Sequence, residues 1–89
     1  MNETPEDRLK RLKMRAWRRG TKEMDLILGP YCDAQLSHLV PEGLDALESA
    51  MDESDQDLYA WISGAMPIPP QHQEVIENLT AFLKGGRQN

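Results

Sequence analysis

Two histidines and one cysteine are the residues of this chain with the most direct chemical uses. His38 and His72 stand in different segments at no spacing that suits a metal site, and nothing beside either marks a nucleophile or an oxyanion hole. Both read as partly exposed structural residues. Cys32 follows a tyrosine on an apolar helix without a neighbouring cation in sequence, which fits a small core or boundary residue better than a nucleophile. The acidic run "DESDQDLY" at residues 52–59 invites a test as a calcium loop. Counted from Asp55, the sixth position needs glycine and holds Ala60, and the twelfth needs glutamate and holds Met66. Helix capping and solvation account for the run. The six glycines form neither a dinucleotide fingerprint nor a P-loop. The expectation is a protein without catalysis, metal or cofactor of its own.

What remains is "RRGTKE" at residues 18–23, a charged turn around one glycine. Gly20 tolerates the left-handed conformation that often follows a helix end. It also leaves backbone uncovered, so a partner can approach closely between Arg19 and Glu23. On pattern alone the plainer reading is favoured: Gly20 closes one helix, Arg18 and Arg19 complement its negative end, and Lys22 and Glu23 solvate the next.

Helices must position these groups. "TPED" at residues 4–7 reads as a helix start, with Thr4 as cap, Pro5 at the first position and acids at the positive end. Leu9, Leu12 and Ala16 then share a face. Met24, Ile27, Leu28 and Tyr31 repeat at helical spacing. Gly29-Pro30 should kink or briefly break that helix, with helical spacing resuming from Ala34 to Leu39. A third helix starts at Pro41, with Val40, Leu44, Leu47 and Met51 on its face. Ser54 caps a fourth, with Leu58, Trp61, Ile62 and Ala65 turned inward. "GAMPIPPQ" is a loop, and a fifth helix carries Val75, Ile76, Leu79, Phe82 and Leu83 before "KGG" ends it. Periodicity favours packing roles for Trp17, Tyr59 and Trp61, although Trp17 and Tyr59 lie beside the best apolar stripes, where partial exposure is the alternative. The fold class expected is all-α, a compact bundle of about five short helices.

Eighty-nine residues suffice for one small domain over residues 1–89, with residues 1–4 and 85–89 as flexible tails. No apolar run approaches the roughly 20 residues needed to span a bilayer. The first seventeen residues lack a signal-peptide core, and their acids argue against an organellar presequence. One cysteine excludes an internal disulfide and suits a reducing compartment, so a cytoplasmic location is expected. The net charge of −5 conceals an asymmetry. Residues 1–23 carry eight basic against four acidic groups, and the remainder two against eleven. A basic first helix leaves open a small helical nucleic-acid-associated protein. The acidic remainder would repel a polyanion, and the dipolar layout fits a protein partner better.

"RRGTKEMDLIL" resembles the Arg-Gly-x-x-Glu motif and following Asp-Leu segment of the SdhE-type FAD assembly factors of succinate dehydrogenase. "YCDAQL" is similar to that family's aromatic-led continuation of helix two, and "DQDLYAWISG" to its Asp-Leu-aromatic-x-Trp block. The resemblance covers roughly residues 8 to 83. It implies a five-helix, non-catalytic protein that binds the flavoprotein subunit of succinate dehydrogenase, or of fumarate reductase, and promotes covalent attachment of FAD to a client histidine. FAD would then belong to the client, and the factor would act as a bacterial cytoplasmic monomer without membrane insertion or nucleic acid. The implied docking residues are Arg19, Gly20 and Glu23, with Arg18 and Asp25 close by. Asp57 to Trp61 is implied to be mainly structural, with Asp57 and Tyr59 reaching the surface as further client contacts. The sequence departs from the family at Thr21, where many relatives carry a larger apolar residue, and at Cys32, where an aromatic or alanine is usual.

Overall fold

Thr4 opens the first helix by accepting the backbone N–H of Asp7 on its hydroxyl at 3.1 Å. Pro5, which has no N–H to leave unsatisfied, takes the first helical position. In the computed structural model, which describes residues 3–86, this helix is α1, Pro5–Trp17. It is followed by α2 Lys22–Gln35, α3 Pro41–Met51, α4 Asp55–Ser63 and α5 Gln73–Ala81. Single 3-10 turns lie at Leu36–His38 and Pro70–His72, and a widened π turn, Phe82–Gly86, continues α5 through "KGG". No strand occurs among the described residues, and the fold is all-α with the five helices expected. The tails expected at residues 1–4 and 85–89 fall partly outside the described residues. Of those described, Glu3 pairs with Arg11 at 2.7 Å and Thr4 caps α1.

The chain divides into two compact units, residues 1–39 and 40–89. In the first, α1 packs on α2 and the turn Leu36–His38 joins them. Its buried side chains are Leu12, Ala16, Met24, Leu28, Tyr31, Cys32 and Leu36, with Leu9 and Ile27 only half-buried. The expected break at Gly29-Pro30 does not occur, since α2 runs through both residues. Proline removes one ladder bond, the one its N–H would give to the Leu26 carbonyl. Leu28, Tyr31 and Cys32, buried on either side, hold the helix across that gap, because tertiary packing outweighs local propensity.

In the second unit α5 packs against α3 and α4. Leu47, Ala50, Met51, Leu58, Trp61, Val75, Ile76 and Leu79 are buried. Ser54 caps α4 by accepting the Asp57 N–H at 3.1 Å, and Gly64 closes it at φ 83°. Two expected core positions lie outside: Val40 precedes α3 and is exposed, and Ala65 falls beyond the end of α4 and is exposed too. Neither residue sits inside a helix, so helical periodicity does not govern where its side chain goes.

Candidate functional site

The turn between α1 and α2 is fastened from both sides. Arg18 leaves the helical conformation at φ −131°, its N–H donating to the Arg15 carbonyl at 3.2 Å. Gly20 follows at φ 105°, where a side chain would be strained although the space around its Cα is open. Thr21 then caps α2 by accepting the Met24 N–H at 3.4 Å. Between these ends the Arg19 N–H donates to Oδ1 of Asp25 at 2.6 Å. This short, charge-assisted bond ties the middle of the turn to the first turn of α2.

Arg18, Gly20 and Glu23 are exposed, and Arg19 and Asp25 are half-buried. Arg19 and Asp25 are joined across the turn by the 2.6 Å bond, whereas Glu23 and Asp25, two apart on α2, project to different sides of that helix. Leu26, which the apolar stripe did not single out, lies one helical turn beyond Glu23 and is 52% exposed. Residues three apart on a helix share a face, so Leu26 extends the charged turn with an apolar neighbour. Asp57 and Tyr59 lie on α4 in the second unit, and both are exposed. Tyr59 at 48% and Trp17 at 40% do not have the core roles that periodicity favours.

Trp17, the last residue of α1, lies against Gly29 of α2. A Cβ on Gly29 would fall well under 3.0 Å from three atoms of the indole ring. The indole N–H donates to both carboxylate oxygens of Asp33, at 3.2 and 3.3 Å. Gly29 and Asp33 are four apart and share a face of the helix. Gly29 is thus a seat rather than a break. A lone glycine within a helical pattern can signal such a close approach, but its neighbour Pro30 pointed to an interruption instead.

The other chemistry-bearing side chains have packing roles. Cys32 is buried, and its thiol is pushed up to about 12 by burial and then by Asp33, with Lys13 opposing. A thiol so protonated is a poor nucleophile. His38 is exposed, whereas His72 is buried at 2% rather than partly exposed. Its ring lies 5.5 Å from that of Trp61, and its Nε2 is 2.8 Å from Oε2 of Glu53. An ionised carboxylate can only accept, so Nε2 carries the hydrogen and donates. Its Nδ1 is buried without a hydrogen-bond partner. No group of three metal-ligating side chains occurs among the described residues, and no described helix is long and apolar enough to cross a membrane.

A family described as "flavinator of succinate dehydrogenase" matches residues 10–83, a span that holds every motif position above. The chain belongs to this family. Similar proteins include the FAD assembly factor SdhE of Acetobacter pasteurianus, 34% identical over 64 residues, which are 72% of this chain and 59% of that protein. Mitochondrial succinate dehydrogenase assembly factor 2 of Mycosarcoma maydis is 34% identical over 68 residues, 76% of this chain and 29% of its own length. The Aspergillus flavus protein of the same name is 35% identical over 68 residues, 76% and 22% respectively. The chain thus spans 59% or less of the length of these three relatives.

Proposed function

We propose that this chain is an assembly factor that docks on the flavoprotein subunit of succinate dehydrogenase and promotes its covalent attachment of FAD. The fumarate reductase flavoprotein is a second client of the same kind. The observation that carries this reading is the α1–α2 turn: Gly20 exposed at positive φ, with exposed Arg18 and Glu23 beside it, in a chain of the flavinator family. Attachment asks that a client histidine be held against the flavin methyl group and that developing charge be stabilised. Those demands fall on the client's own residues, so the factor is accessory and not an enzyme. Its contribution is to favour the client conformation in which that geometry exists, a population shift. FAD stays with the client, in keeping with a chain that lacks a dinucleotide fingerprint or P-loop. The factor works as a cytoplasmic monomer, with Asp57 and Tyr59 as secondary contacts.

Co-expression of the succinate dehydrogenase flavoprotein with the factor tests this, reading the flavin that survives denaturing electrophoresis. Gly20→Arg places a long side chain on the bare centre of the turn and should abolish the gain in covalent flavin. Because arginine at that φ also strains the backbone, Glu23→Ala is the second arm. It should weaken client binding while stability moves by only about 0.5 kcal/mol. Undiminished flavinylation with both variants would remove the turn from the docking surface.

A further inference from the structure

The docking turn leaves α1 at Trp17, and Trp17 is held by contacts that no helix-capping rule requires. Its indole occupies the space a Gly29 side chain would fill, and its N–H reaches the Asp33 carboxylate one helical turn further along. Arg18 follows by a single peptide bond, and Arg19 is tied by its own N–H to Asp25. The turn is therefore fixed at its α1 end by the indole and in its middle by Asp25. If the first fixing were lost, the α1 terminus would sample several exits, and only a fraction of molecules would present Arg18, Arg19 and Gly20 in one arrangement. Apparent affinity for a partner falls by that same fraction.

We propose that Trp17, Gly29 and Asp33 form a latch that positions the α1–α2 turn for docking. The three act as positioning residues and need not themselves touch the partner. This rests on the docking role of the turn proposed above. The latch also explains why α2 keeps a glycine at an interior position, where alanine is the better helix former: the methyl group would evict the indole.

The decisive variant is Gly29→Ala in the full chain, compared with Asp33→Ala, Asp33→Asn and wild type. Binding to the flavin-free succinate dehydrogenase flavoprotein gives the affinity. Amide hydrogen exchange at Arg19, whose N–H donates to Asp25, reports the order of the turn, and the thermal midpoint reports stability. Gly29→Ala should speed exchange at the Arg19 amide and weaken client binding about tenfold. Asp33→Ala should move in the same direction. Asp33→Asn, whose amide oxygen can still accept the indole N–H, should restore both exchange and binding. A merely structural role would follow the midpoint and would not spare Asn over Ala in binding. If Gly29→Ala and Asp33→Ala bind like wild type while Gly20→Arg and Glu23→Ala do not, the latch is wrong and the docking turn stands. If none of the four alters binding, the docking turn itself falls, and the latch with it.

Discussion

Asp25 shows how one carboxylate changes the meaning of a charged motif. Placed in the first turn of α2, it accepts the Arg19 N–H on Oδ1 at 2.6 Å, so one of its two oxygens is already engaged within the chain. Asp25→Ala leaves a half-buried backbone donor without its acceptor and should lower unfolding free energy by about 1–3 kcal/mol. Asp25→Asn, which keeps an oxygen in place, should lose less. Chemical denaturation of the two variants side by side measures the difference. The types and spacing of Arg18, Arg19, Gly20, Glu23 and Asp25 were legible in the sequence, but the direction of this hydrogen bond was not. It depends on Asp25 folding back six residues across the turn, a contact that helical periodicity does not encode.

At the level of elements, helix starts were the most readable feature, because caps are local chemistry. Thr4 and Ser54 both accept from the third residue beyond, as their sequence contexts suggest. Thr21 does the same for α2. Thr21→Val keeps the shape and removes the oxygen. At 3.4 Å the bond is long, so the expected loss is at the low end for a cap, about 0.5–1 kcal/mol, measurable by thermal unfolding. The middle of α2 was the least readable stretch. Gly29-Pro30 carries the two strongest local signals for a break, yet the helix continues, because one residue receives an indole and the other lies among buried neighbours. The indole of Trp17 comes from the other helix, outside any local window around Gly29. The same limit applies to His72, whose burial against Trp61 and beside Glu53 depends on residues far from it in sequence.

For the molecule as a whole, stability should bend downward in alkali. Burial raises the Cys32 thiol from 9.0 to about 12, and burial, then Cys32, raises the Tyr31 phenol above 10.0. The folded chain therefore holds protons that the unfolded chain releases above about pH 9, and stability falls as pH rises where the unfolded state binds fewer protons. The contribution is complete below pH 9.0 and is lost as pH climbs toward 12. Thermal midpoints taken from pH 7 upward should hold level and then decline, with a shallower decline in Cys32→Ala. The charge asymmetry acts at this scale too: an acidic stretch of two basic against eleven acidic groups follows the basic segment, and no salt-dependent nucleic-acid gel shift is expected at physiological ionic strength. The two tryptophans have a consequence of another kind. Trp17 lies in the first unit at 40% exposure and Trp61 in the second at 8%, so the native chain carries a red-emitting, quencher-accessible fluorophore in one unit and a shielded fluorophore in the other. A urea titration recorded at both ends of the emission band follows each unit without any added label, and coincident midpoints are the signature of 89 residues melting as one cooperative domain.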